Sequence, residues 1–453
     1  MPLTAMHTLL TFLGAIPYDK TQYYFDGTPE QASVPTPYVQ EAILRHLALK
    51  GKRIERVIVF TTENAQENNY ERCIRSFDKN SGIPEYDKQE PGLQERLERL
   101  KRENIIDDYK RVLISDGNTE REIFEIFSVL YEQVAALPEG SAIALDLTYG
   151  FRSLPMLCML LLHYARTLHH LRVSHIFYGN YEVGRQEKQA KIQELKKSGA
   201  SEEEMEKANT QPPRAPVLEL SAFVELQEWT IAAHTFVRSG DASLLVERMN
   251  EEERATGEAL RTFTDQILTC RGSALATQSN VESIREKIRA LQGKSNLGAP
   301  LKPILERVER KLEPFANRTA RNGFAAVEWC IEHNLIQQGF TLLEETCKSY
   351  VIEQIYGIER LQEANLRECA KLALNRVPEG KWKPEQEEYA KKITEYLKRE
   401  YPNAFRAYRR LTGEKGLRND INHAGYMASP KSPQELKEAL KGVYVEIKEA
   451  FQL

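Results

Sequence analysis

Hydrophobic residues follow two different rhythms in the two halves of this chain. Through the first 180 residues, short apolar and β-branched runs recur at Thr8–Leu13, Arg56–Thr61, Arg111–Ser115, Ala142–Leu147 and Arg172–Tyr178. Runs of this length and composition read as strands. Helical stretches separate them, among them Tyr38–Lys50 and Glu120–Leu137. In the second of these, Ile123, Phe127, Leu130 and Val134 share one helical face. Strands alternating with helices predict an α/β domain with a Rossmann-like, doubly wound and mostly parallel sheet. In such sheets ligands bind beyond the carboxyl ends of the strands.

Past Arg172–Tyr178 the pattern changes. Arg185–Pro216 is densely charged and ends in prolines, which predicts an exposed helical insertion followed by a linker. From Ser221 onward helical spacing dominates, so this half is expected to be all-α. A second charged stretch, Asn280–Lys311, predicts solvated helix and loop between a connecting region and a terminal domain. The last helix is sharply marked. Ser432-Pro433-Gln434-Glu435 forms a capping box, and Leu436, Leu440, Val443, Ile447 and Phe451 follow as a core stripe. The expected divisions are 1–184, an insertion at 185–216, a connecting helical region at 217–320 and a terminal helical domain at 321–453.

Composition narrows the partners. A length of 453 residues suits two or three domains, and a net charge of −4 argues against a broadly basic, nucleic-acid-coating surface. Any RNA contact is expected in a local cleft. Cys73, Cys158, Cys270, Cys330, Cys347 and Cys369 show neither zinc-type spacing nor a disulfide framework. His169, His170 and His175 lack carboxylates or cysteines at ligand spacing, so no metal site is expected. The opening residues lack the layout of a secretory leader, and the apolar run Leu154–Tyr164 is too short to span a bilayer. The expectation is a reduced, cytoplasmic protein with no membrane partner.

Two runs carry candidate chemistry. The first is Leu145-Asp-Leu-Thr-Tyr-Gly-Phe-Arg-Ser-Leu-Pro155, a strand that turns through Gly150 into a helix near Ser153. Glycine allows close backbone approach, and a helix start offers free N–H groups to an anion. Thr148 and Ser153 add hydroxyls, and Arg152 adds a cationic fork suited to phosphate. The chain lacks GxGxxG, GxxxxGK[ST] and GxSxG, which disfavours the ordinary dinucleotide, P-loop and hydrolase-elbow readings. On spacing alone, an ordinary turn with a surface arginine fits equally well.

The second run is Gly416-Leu-Arg-Asn-Asp-Ile-Asn-His-Ala-Gly425. Among the histidines, His423 alone has an arginine five residues before it, Arg418. Five helical residues place two side chains about 140° apart, so the spacing favours a composite site at a two-fold interface. Such a pair suffices for metal-free RNA cleavage. The ribose 2′-hydroxyl is the nucleophile, histidine moves the proton, and arginine holds the phosphate. The products are a cyclic phosphate and a 5′-hydroxyl. Asn419 and Asn422 are candidate supporting groups. Spacing alone also permits a surface pair of Arg418 with Asp420 or Glu414.

Taken together, DLTYGFRSLP, the opening LLTFLGAIPYDKTQYYFDG and the run LRNDINHAG resemble the CARF–HEPN ribonucleases of type III CRISPR systems. His333–Glu345 is similar to the early HEPN helix, where apolar residues serve the core. The resemblance implies a CARF sensor followed by a helical HEPN domain that cleaves single-stranded RNA. It implies a homodimer or higher even-numbered oligomer sharing one cyclic oligoadenylate, most commonly cyclic tetra-adenylate, as an activator rather than a cofactor. Carried over by position, the ligand contacts are Gly14, Thr148, Gly150, Arg152 and Ser153. Asn64 and Asn118 join them as weaker matches that equally suit turn residues satisfying their own backbone. Two alternatives stay open: a ligand-binding regulator with an inactive HEPN domain, and a sensor that also degrades its ligand.

Overall fold

The computed structural model describes residues 5–150, 153–291, 299–412, 420–421, 424–426 and 429–453. The chain forms two compact units, residues 1–225 and 226–453.

The first unit is built on a seven-stranded sheet. Its strands are β1 (His7–Leu13), β2 (Gln22–Tyr24), β3 (Arg56–Thr61), β6 (Asp108–Leu113), β7 (Ala142–Asp146), β8 (Arg172–Gly179) and β9 (Arg214–Glu219), in the order β2-β9-β8-β7-β1-β3-β6. From β8 across to β6 the strands are parallel. A separate two-stranded hairpin joins β4 (Ile74–Phe77) to β5 (Pro84–Tyr86).

Alternation along the strands builds both layers. Leu9 and Leu13 of β1, with Val57, Val59 and Ala144, pack against α1 (Val39–Leu49) and α3 (Leu93–Arg102). Leu10 and Phe12, with Ile58, Phe60, Ile143 and Leu145, pack against α4 (Glu120–Ala135) and α5 (Leu154–His169). Phe12 and Phe60 are in register and stack at 5.3 Å. Parallel strands covered on both faces read as near-continuous apolar runs, which is why these strands were legible. The face of α4 centres on Ile126, Leu130 and Val134; of the expected positions Leu130 and Val134 are buried, while Ile123 and Phe127 are half-buried.

The charged insertion is corrected by the structure. Residues 185–216 do not end in a linker. They complete α6 (Tyr181–Lys197), form α7 (Glu202–Thr210) and enter β9, which lies between β8 and β2. Pro212 and Pro213 end the helical stretch, and then Ala215 and Val217 turn inward on alternate positions. Pro216 sits where β9 uses its carbonyl, accepting the Asn180 N–H at 2.8 Å. Proline has no N–H to return that bond, and the pairing with β8 ends beside it, at Gly179 and Val217.

The second unit is all-helical among its described residues, and one hydrophobic core runs through it from Trp229 to Phe451. The expected boundary at 320/321 and the solvated separator at Asn280–Lys311 do not appear. Helices Val281–Leu291 and Lys302–Leu312 bury Val281, Ile284, Ile288, Leu291, Leu305, Val308 and Leu312 in that same core. Their charge lies on the outer faces, where Arg285 and Arg289 meet Glu309. Dense charge here marks an amphipathic helix rather than a linker. The terminal helix Pro433–Phe451 starts with the expected Ser432/Glu435 capping box and buries Leu440, Val443, Ile447 and Phe451. Among the described residues no helix is long and apolar enough to cross a membrane.

Candidate functional site

Because β6, β3, β1, β7 and β8 are parallel, the loops that follow them leave from one edge of the sheet. The chain runs outward from β1 through β3 to β6, then returns to the other side of β1 as β7. The gap between the ends of β1 and β7 is thus a topological switch point, where open α/β sheets place their ligands. A cavity of about 320 Å³ lies there. Its walls come from the loop after β1 (Ile16–Asp19), the turn after β7 (Thr148, Tyr149), the end of β8 (Tyr178, Gly179) and the first turns of α6 (Tyr181, Glu182, Arg185).

Beneath it runs a buried polar chain. Gln40 Nε2 donates to Thr11 Oγ1 at 3.0 Å, and Thr11 Oγ1 donates to Asp146 Oδ2 at 2.7 Å. Asp146 Oδ1 accepts both the backbone N–H (3.0 Å) and the hydroxyl (2.6 Å) of Thr148. The Thr148 oxygen in turn accepts the Gly179 N–H at 2.8 Å. Full burial raises the pKa of Asp146, and the hydrogen bonds from Thr11 and Thr148 only partly offset that. The carboxyl group thereby fixes the first residues of the signature turn to the strands below.

Tyrosines make the adjoining wall. Tyr18 stacks on Tyr149 with ring centres 3.9 Å apart. The Tyr149 hydroxyl donates to the Pro37 carbonyl at 3.0 Å and meets the Tyr23 hydroxyl at 2.9 Å, so Tyr23 is the donor in that second contact. Burial raises the pKa of Tyr18 and Tyr149, which keeps both phenols protonated. The loop after β1 is held from behind by a helical turn, α2 (Glu63–Ala65) and its continuation Gln66–Glu71. Asn69 Nδ2 donates to the carbonyls of Gly14 and Ile16, both at 2.8 Å, and Asn68 Nδ2 donates to Ala15 at 3.0 Å.

The expected contacts divide on this geometry. Thr148 lines the cavity, but its hydroxyl is committed to Asp146 and Gly179. That arrangement lends no support to ligand degradation through Thr148. Gly14 stands behind the wall, its N–H donating to the Tyr18 hydroxyl at 2.6 Å, and a Cβ there would come within 2.9 Å of that oxygen. Gly150 lies against Leu154, and Ser153 precedes α5 without making a capping hydrogen bond. Asn64, in the short helix α2 after β3, and Asn118, on the loop after β6, are exposed, and neither lines the cavity. The Asn118 N–H donates to Glu122 at 3.0 Å, as a local turn residue does. Arg152 lies outside the described residues, as do Arg418, Asn419, Asn422 and His423. Between the last four, Asp420 is buried and accepts the Lys431 N–H at 2.7 Å, while Ile421 packs on the helical core.

Sequence reasoning missed Tyr18, Asp19, Tyr149, Tyr181 and Arg185 as cavity residues, and Asn68 and Asn69 as supports. His175 has no carboxylate at ligand spacing in the sequence, but the fold supplies a single hydrogen-bonding one. The β8–β9 pairing brings Glu219 to within 2.8 Å of its Nδ1, a partner 44 residues away in sequence.

Residues 8–182 match the family model for the CARF domain of the CRISPR system endoribonuclease Csx1. The match covers β1 through β8 and stops within the first turn of α6. With the doubly wound sheet and the signature turn at its switch point, this defines the N-terminal unit as a CARF domain. A CRISPR-associated relative matches over a longer stretch. The chain is 21% identical over 374 residues to CRISPR-associated protein MJ1674 of Methanocaldococcus jannaschii, covering 75% of this chain and 52% of that protein. The chain thus spans about half the length of that relative. Among solved structures, Enterococcus italicus Csm6 bound to cyclic hexa-2′-fluoro-hexa-dAMP aligns over 99% of this chain and 95% of its own, with 14% identity and a TM-score of 0.42.

Proposed function

We propose that this protein is a cyclic-oligoadenylate-activated, metal-independent RNA endonuclease of type III CRISPR defence, acting in the cytoplasm. The observation that carries the sensing half is the CARF match over residues 8–182, with its cavity at the switch point between β1 and β7. The catalytic half rests on Arg418 and His423, in a unit that is all-helical among its described residues. His423 moves the proton between the 2′-hydroxyl and the leaving oxygen, and Arg418 holds the phosphate as charge develops on it. Asn419 and Asn422 orient the pair. Single-stranded RNA is the substrate, because the attacking hydroxyl must swing into line with the scissile bond.

A dimer joins the two halves. Along α5, Met156, Leu160, Tyr164 and Leu168 recur every fourth residue and are 78%, 46%, 39% and 55% exposed. Phe124 of α4, 64% exposed, adds to this apolar surface. A second copy of the chain covers the stripe, which begins beside the signature turn, so the two cavities share one cyclic ligand. Ligand binding then shifts the dimer toward the state in which both Arg418–His423 pairs face one RNA strand.

The test is RNA cleavage in EDTA with and without cyclic oligoadenylates of each ring size, tetra-adenylate being the expected activator. The wild type should cleave only with ligand, and His423→Ala should lose activity by roughly 10²–10⁴-fold. Full activity in His423→Ala would sink the catalytic assignment.

A further inference from the structure

We propose that Arg185, on α6, is a ligand-binding residue of the sensor that takes a phosphate of the cyclic oligoadenylate. The inference rests on the cyclic-oligoadenylate reading above and adds a residue to it.

Charge decides the matter. The described residues around the cavity include two carboxylates, Asp19 and Glu182, and one cation, Arg185. A ring of phosphodiesters needs compensating positive charge in such a pocket. Neighbouring cations are already engaged: Lys20 pairs with Glu90, and Lys188 Nζ donates to the Asn209 carbonyl at 2.7 Å. Arg185 makes no ion pair with any described carboxylate. Its planar fork suits two phosphate oxygens at once, which a lysine does not match.

The position is also built. Gly184 packs directly on the backbone of β9, with no room for even a methyl group between it and the Arg214 carbonyl. One turn earlier on α6, the Tyr181 hydroxyl donates to Asp19. These two contacts fix the helix, and residues 181 and 185 fall on the same helical face. Arg185 therefore stands at the mouth of the cavity. It also borders a larger cleft of about 590 Å³ on the other side of the Tyr181–Asp19 bond. The CARF match ends at residue 182, and Arg185 lies just beyond it, in the α6–α7–β9 segment. In this view the segment is part of the binding site, and its charge density hides the one residue that serves the ligand.

The experiment is titration of the full-length protein with cyclic tetra- and hexa-adenylate, comparing wild type, Arg185→Ala, Arg185→Lys and Lys191→Ala. Lys191 lies on the same helix and lines neither of these two clefts. Arg185→Ala should bind about tenfold to a hundredfold more weakly, Arg185→Lys should recover part of that loss, and Lys191→Ala should bind like wild type. Matching thermal unfolding curves check that each variant is folded. Unchanged binding by Arg185→Ala overturns this assignment alone. Equal weakening by Lys191→Ala overturns it too, since diffuse charge would then account for the effect. Absence of binding by the wild type overturns the sensor reading and this assignment with it. As a second variant, Gly184→Ala keeps Arg185 but pushes α6 off β9, and it should weaken binding as well.

Discussion

Thr11 and Asp146 face each other in register across the parallel β1–β7 pair, and the Thr11 hydroxyl donates to the Asp146 carboxyl group at 2.7 Å. Both side chains are fully buried. The pair anchors the signature turn, because the same carboxyl group receives the Thr148 N–H and hydroxyl.

Asp146→Ala leaves three donors without a partner and should lower stability by about 2–3 kcal/mol, read as a fall in denaturant midpoint. The pH dependence has a definite sign. The folded-state pKa of Asp146 is raised above the ordinary value of 3.8 by burial. Its contribution is therefore fully present below that ordinary value and is lost as pH rises through the raised one. Wild type compared with Asp146→Asn should show this declining limb. A flat difference across that range would contradict the burial argument.

Glu41 and Arg96 give the opposite sign. Burial alone would raise the Glu41 carboxyl, but the Arg96 guanidinium at 2.6 Å and the Thr36 hydroxyl at 3.0 Å overcome it and hold the pKa low. This contribution is present above the ordinary glutamate value of 4.5 and is lost as pH falls through the depressed one. Arg96→Met removes the nearer of the two arginines that pair with the Glu41 carboxylate, leaving Arg45 at 3.3 Å, and should cost about 2–4 kcal/mol at neutral pH, with the loss shrinking in acid. Acid titrations of unfolding for both proteins measure it.

The α5 stripe predicts assembly. Leu160→Glu places a charge within it and should convert a wild-type dimer to monomer in sedimentation velocity, with ligand-stimulated cleavage lost alongside. A monomeric wild type at micromolar concentration would remove the shared-ligand reading.

One core in the helical unit implies one transition. Trp229, Trp329 and Trp382 are all the tryptophans of the chain and all lie in that unit, so their fluorescence reports it alone. Ile288→Ala, in a stretch read from sequence as a separator, should cost about 2–4 kcal/mol and shift the entire tryptophan transition. A tryptophan curve left in place would restore the idea of an independent connecting region.

Sequence legibility followed physical cause. Strands β1, β3 and β7 were readable because both of their faces are buried, and the terminal helix because Ser432, Pro433 and Glu435 write its start explicitly. Strand β9 was hidden by Pro216, and the helices at 281–312 by their charged outer faces. The signature turn was found, but its Thr148 hydroxyl faces inward to a carboxyl group two residues back. The cavity walls were not legible in any local pattern. Tyr18, Tyr149 and Arg185 meet only because β1, β7 and α6 converge on one edge.

The helical hairpin between β8 and β9 offers a practical opening. Those strands are direct neighbours, so both ends of α6–α7 return to nearly the same place while the tip at Gly199 projects free, with nothing within 4 Å of where its Cβ would be. A fluorophore or small reporter domain inserted there would ride on the same helix as Arg185 without entering the sheet. The fold thus supplies a mounting point for an optical readout of whatever occupies the cavity beside Arg185.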